Sequence, residues 1–200
     1  MTRDPDATRA AILEAAEEVF VAKGFGNTAL SQIASRAGVT KSLIHHHFGS
    51  KGGLWREVKM RRFSAYAQGQ LRMLEDFPPS PQLLEDSMRY YFGFLKENPQ
   101  LVRILAWIFL EQDPECAEMD RELMAAAVAK LKQGQEEGRL RSDVDPRFAL
   151  MVFIGIAHHW FQDSTHFLHS FDTTGLPKDV DSAYMQDAMR IFLEGIRPRD

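Results

Sequence analysis

Residues 28–51 read TALSQIASRAGVTKSLIHHHFGSK, and the two short helices they encode decide the fold. Thr28 is a good N-cap, because its hydroxyl can accept from a backbone N–H left free at a helix start. Leu30, Ile33, Ala34 and Ala37 recur at helical spacing and give one apolar face. Gly38 stands where a helix ends in a left-handed residue, a conformation glycine adopts without steric cost. Val39 can plug the corner. Thr40 is a second N-cap, and Ile44 and Phe48 form the apolar side of a second helix. Gly49 and Ser50 mark another stop and another start.

Two helices joined by a short glycine turn have the geometry of a helix-turn-helix. In that motif the second helix enters the DNA major groove, led by its N-terminal residues. Thr40, Lys41, Ser42, His45 and His46 lie at the start of this helix or away from Ile44 and Phe48. All can hydrogen-bond to bases or phosphates. Thr28 and Lys51 stand at helix starts, where backbone N–H groups also attract phosphate.

The run at residues 24–55, GFGNTALSQIASRAGVTKSLIHHHFGSKGGLW, resembles the N-terminal domain of TetR-type (tetracycline-repressor-like) regulators. The matching features are a Thr before the second helix, IA..AGV, a polar-headed third helix ending in an aromatic, and a Lys opening the fourth. EEGRLRSDVDPRFAL, leading into a long helix, is more loosely similar to the helical ligand-binding half of that family. The resemblance implies sequence-specific binding to double-stranded operator DNA, usually as a repressor released by a small-molecule effector. Carried onto this chain, it sets Lys41, Ser42 and His45 on base edges and Thr28, His46 and Lys51 on phosphates. Two departures stand out. The family commonly has Tyr where His45 stands, which leaves the base preference open. It often has Glu after the lysine of the fourth helix, where this chain has Gly52 and Gly53. Glycines there are expected to weaken the first turn by about 1 kcal/mol each relative to alanine.

The 200 residues suffice for one or two domains with a proper core. No apolar run of about 18 residues occurs, so no membrane partner is expected. Residues 1–20, MTRDPDATRAAILEAAEEVF, lack the apolar centre of a signal peptide. The one cysteine, Cys116, cannot form an internal disulfide, which suits a reducing cytoplasm. It is expected to pack rather than to sense. The net charge of −4 argues against a nucleic-acid binder until its distribution is seen. Residues 1–60 carry 8 Lys and Arg against 6 Asp and Glu, while residues 61–200 carry 16 against 22. The end expected to face phosphate is mildly basic and the rest is acidic.

An all-α fold follows, with an N-terminal three-helix helix-turn-helix DNA-binding domain (1–52) and a C-terminal helical ligand-binding and dimerisation domain (53–200). The first helix starts at Asp4-Pro5 or Asp6 and buries Ile12, Ala16, Val19 and Phe20. A fourth runs from Ser50 toward Leu74, with Trp55 capping the N-terminal core and Arg61 and Arg62 exposed. Phe77-Pro78-Pro79-Ser80-Pro81 breaks the chain. Further helices are predicted over 82–98, 101–112, from Asp113-Pro114 to about Glu137, from Asp145-Pro146 to about His169, and from Asp179 or Asp181 to near Arg197.

Consecutive helical residues point about 100° apart, so His45, His46 and His47 cannot converge on one metal ion. His158, His159, His166 and His169 share one predicted helix without a completing ligand set. No cofactor and no metal is expected. No G-x-S-x-G, P-loop, G-x-G-x-x-G or H-E-x-x-H pattern occurs, so no enzyme is expected. The alternatives are an enzyme working through the long-helix histidines, and a helical interaction module that does not touch DNA. Aromatics are dense between Phe63 and Leu131, and Tyr66, Tyr90, Phe94, Trp107 and Phe109 are the candidate ligand contacts, suited to an apolar molecule. The last two long helices are apolar nearly all round, so each needs burial on more than one side. They are expected to join a homodimer through Val152, Ile156 and Trp160 on one and Met185, Met189 and Leu193 on the other.

Overall fold

A computed structural model describes residues 4–113 and 120–198. Among the described residues the regular elements are all helices: α1 (Pro5–Lys23), α2 (Leu30–Ala37), α3 (Lys41–Phe48), α4 (Lys51–Asp76), α5 (Pro81–Glu97), α6 (Pro99–Leu110), α7 (Arg121–Glu136), α8 (Pro146–Ser170) and α9 (Val180–Ile196). None of them is long and apolar enough to cross a membrane. Pro114, at the predicted helix start, and Cys116 fall on residues 114–119, which lie outside the described residues.

Caps account for most boundaries. Asp4 accepts from the Asp6 N–H and Pro5 opens α1. Ser80 accepts from the Leu83 N–H at 3.1 Å at the head of α5. Asp145 accepts from the Arg147 N–H at 2.9 Å at the head of α8, and the Arg147 guanidinium beside it holds its carboxyl down at about 2. Thr28 departs from its expected part. The N-cap of α2 is Ala29, whose N–H is received by the Gln32 side chain at 3.2 Å. Thr28 is buried and its hydroxyl instead donates back to the Gly24 carbonyl at 2.6 Å, the local bond that competes with capping in Ser and Thr.

By packing, the chain divides into two compact units. The first comprises α1, α2, α3, the N-terminal part of α4 to Ala65, and α6 from Arg103 onward. Its core joins Ile12, Ala16 and Phe20 of α1, Ile33 of α2, Ile44 of α3, Leu54, Trp55 and Val58 of α4, and Ile104 and Ile108 of α6. Phe20 and Trp55 pack ring to ring, 4.9 Å between centroids. The second unit comprises the rest of α4, α5, and α7 to α9. There Met88, Phe92 and Leu95 of α5, Phe153 and Ala157 of α8, and Met189 and Phe192 of α9 are buried.

Candidate nucleic-acid interface and effector side

The α2–α3 corner is made by Gly38, left-handed at φ 64°, whose neighbour Val39 returns its N–H to the Ala34 carbonyl at 3.0 Å. This turns α3 so that Ile44 enters the core with no exposed surface, while Lys41, Ser42, His45 and His46 stand exposed. Thr40 caps α3 by accepting from the Leu43 N–H, and shares a 2.9 Å hydrogen bond with the Ser42 hydroxyl. His45 Nδ1 donates to the Gly49 carbonyl at 2.9 Å, so in the neutral ring Nε2 is the acceptor.

Thr28 and Lys51 sit differently. Thr28 is spent on Gly24, as above. The Lys51 ammonium donates to the carbonyls of Phe25 at 2.7 Å and Thr28 at 2.9 Å, and lies 4.3 Å from the Phe25 ring centre. Lys51 therefore ties the start of α4 to the turn that precedes α2.

Gly53 has a part that the sequence reading missed. Ser50 accepts from its N–H at 3.0 Å, and a Cβ at Gly53 would lie 2.3 Å from the Phe48 carbonyl oxygen. Glycine is required for α4 to start this close to the end of α3. Gly52 has no such constraint, its nearest neighbour being the Ser50 hydroxyl at 3.6 Å. The signal available in the sequence was the spacing of the capping Ser50 and a glycine three residues on.

The tail of α6 clamps the same region, a second feature unseen in the sequence. Glu111 accepts from the N–H of Phe25 at 3.1 Å and of Gly26 at 2.9 Å. Trp107 Nε1 donates to the Val21 carbonyl at 3.1 Å. Asp113 Oδ2 receives Lys59 Nζ at 2.6 Å and Trp55 Nε1 at 2.7 Å, with Lys59 only 1% exposed. Lys59 continues the apolar stripe of Leu54, Trp55 and Val58. A lone cation on such a stripe announces a buried carboxylate partner without saying which. Arg62, expected to be exposed, is half-buried because its guanidinium pairs with the buried carboxylate of Glu17 on α1.

In the second unit, three of the five candidate ligand residues meet. Tyr66 stacks on Tyr90 and on Phe94, at 5.6 and 5.2 Å between ring centres, and Tyr91 packs on it at 4.9 Å. These rings fill one another's space. Burial pushes the Tyr66 and Tyr91 phenols up, and Tyr91 pairs its hydroxyl with His158 Nε2. Burial also lowers the His158 imidazole. The other two candidates belong to the first unit: Trp107 lies against the end of α1, and Phe109 is 77% exposed. A cavity of about 50 Å³ lies elsewhere in the second unit, among α4, α5, α7, α8 and α9. The α8 histidines are dispersed, with His159 on Asp163 at 3.2 Å and His169 Nδ1 donating to the Thr165 carbonyl at 2.6 Å.

Of the candidate interface residues, Met185, Met189 and Leu193 are turned into their own unit and buried. Ile156 and Trp160 are half-buried, Trp160 stacking on Tyr184 and donating to Asp181 at 2.8 Å. Val152 is exposed, and so are Phe148, Met151 and Ile191.

Comparison with known proteins agrees with this layout. Residues 12–58 match the family model described as bacterial regulatory proteins, tetR family. Residues 87–190 match the tetracyclin repressor-like C-terminal domain. The HTH-type transcriptional repressor SCO4008 of Streptomyces coelicolor is 29% identical over 160 residues, covering 78% of this chain and 79% of that protein. The HTH-type transcriptional repressor NicS of Pseudomonas putida is 26% identical over 199 residues, covering 96% and 93%. The structure of FadR from Bacillus subtilis in complex with stearoyl-CoA superposes with a TM-score of 0.72 at 18% identity, covering 94% of this chain and 99% of FadR.

Proposed function

This chain belongs to the TetR family of bacterial regulatory proteins, and from that premise we propose that it is a repressor released from a palindromic operator by a small, largely apolar ligand. The family and the relatives above are transcriptional regulators, not enzymes. The carrying observation is α3, anchored on one side by Ile44 and presenting Lys41, Ser42, His45 and His46 on the other. In this reading Lys41, Ser42 and His45 contact base edges, with Thr40 and His46 on the flanking phosphates. Thr28 and Lys51 act by holding the turn before α2, and Lys51 ties the start of α4 to that turn. Residues 1–52 carry the reading, braced by the rest of the first unit, the remainder of 53–200 carries the regulation and dimerisation, and the protein works in the cytoplasm, where operator DNA is.

The dimer is two-fold and uses α8 and α9. In this reading its outer face is formed by Phe148, Met151, Val152 and Ile191, large apolar side chains that stand exposed in the single chain. Such a pair sets two recognition helices about one DNA turn apart, roughly 34–36 Å, and so reads an inverted repeat. The ligand is accommodated in the second unit, whose cavity wall is mostly apolar and suits an apolar molecule; FadR, which shares the fold, was solved with stearoyl-CoA. Selection of the full chain on random double-stranded DNA tests the reading. An enriched inverted repeat, bound by a species that sediments as a dimer, supports it. Absence of any enriched sequence, with a folded protein, refutes it.

A further inference from the structure

The cavity in the second unit holds about 50 Å³, room for roughly three to five water-sized groups and well short of the roughly 150 Å³ that accepts benzene. Its wall is mostly apolar and includes Leu74, Leu83, Leu131, Leu140, Leu150 and Phe153. Gln70 of α4 also lines it, only 6% exposed. Its Oε1 is the one buried side-chain polar atom among the described residues that has no hydrogen-bond partner. A buried amide oxygen without a partner is costly, and native cores rarely keep one. A leucine would finish this wall at no such cost. Among the described residues Lys130, at the edge, is the one charged side chain that lines the space, and it donates to the Phe77 carbonyl at 3.2 Å. A carboxylate set against Gln70 Oε1, an acceptor with no proton to give, would be repelled there, so the group that meets it must be a donor.

We propose that this cavity seats the effector, and that the effector is a neutral aliphatic molecule whose single hydroxyl or amide N–H donates to Gln70 Oε1. This rests on the reading of the chain as a ligand-released regulator. A chain of about four carbons and its head group matches the space as it stands. A longer one displaces the half-exposed Leu84 and Lys130 at the edge. Tyr66, one turn before Gln70, stays in its stack and takes no part.

The test uses 1-butanol, butyramide and butanoate as probes of the full chain, by saturation-transfer NMR, with Gln70→Leu as the variant and urea unfolding to show that it folds. Butanol and butyramide bind the wild type and compete with each other, while butanoate binds at least about tenfold more weakly. Gln70→Leu weakens butanol by about tenfold, the worth of one hydrogen bond, and butanol reduces affinity for the selected operator. Equal binding of all three probes, butanol binding unchanged in Gln70→Leu, or no binding (a cavity that holds water only) overturns the proposal. Butanol binding that leaves operator affinity untouched overturns its effector role. Operator binding by the unliganded protein is measured separately: its presence keeps the regulator reading when the probes fail, and its absence defeats that reading whatever the probes do.

Discussion

The two units are both helical, yet their interiors are finished differently. In the first, the buried charges of Lys59 and Glu17 each meet a partner, Asp113 and Arg62, and the turn between α1 and α2 is held by Glu111 and Lys51. In the second, Gln70 Oε1 goes unpaired beside a cavity, and burial shifts Tyr66, Tyr91 and His158 away from their ordinary titration. A close-packed, fully paired interior transmits position faithfully, whereas an interior with a void and a free acceptor can be repacked by a small molecule. The contrast matches the division of labour proposed here, a stiff reader joined to an adaptable regulator.

Removing one partner of the buried ion pair is the severest way to break the contrast. Asp113→Ala is expected to cost about 3–5 kcal/mol, because it strands the Lys59 ammonium in the core. Urea unfolding measures it, and Lys59→Met combined with Asp113→Leu should recover most of the loss. The corresponding cut in the second unit, Tyr91→Phe, removes one hydroxyl bond to His158 and is expected to cost about 1 kcal/mol. Equal losses at the two sites would erase the difference between the units.

A sharper probe is the glycine pair. Gly53→Ala forces a methyl against the Phe48 carbonyl and should cost about 1–3 kcal/mol, with operator affinity falling as the end of α3 shifts. Gly52→Ala meets only ordinary contacts and should stabilise the first turn of α4 by about 1 kcal/mol. Thermal unfolding of the two variants, side by side, reads the difference.

The smallest expected effect is on pH. His158 is depressed below its ordinary 6.5 by burial, so the folded state prefers the neutral ring. Its contribution is intact above about 6.5 and is lost as pH falls below that, since the unfolded chain takes the proton first. Tyr66 and Tyr91 are raised by burial above 10.0, so their contribution is intact below that value and is lost as pH rises beyond it. Hydrogen exchange should show α5 and α8 loosening at both extremes before α1 to α3.

Much of the first unit was legible because its signals are local. Thr40, Gly38, Ser50 and the apolar spacing of Ile33 and Ile44 each act within a few residues, and they set α2 and α3 to within a residue or two. Thr28 misled because a threonine before a helix can cap forward or bond backward, and only the position of the Gly24 carbonyl decides. The clamp was illegible for another reason: Lys59 and Asp113 are 54 residues apart in sequence, and Glu111 is 86 from Phe25. Among the aromatics, composition pointed to a pocket where Tyr66, Tyr90 and Phe94 fill the space themselves. The cavity beside Gln70 is defined by what is missing around it, which no residue type encodes.

The central claim is that α3 reads bases through its exposed side, and one measurement meets it directly. Random-sequence selection is run with the wild type and with Lys41→Ala, whose side chain is exposed and takes no part in the core of the first unit. The account predicts an inverted repeat for the wild type and, for the variant, relaxed preference at one position in each half-site, worth about 1–3 kcal/mol there. An unchanged consensus at every position would contradict it.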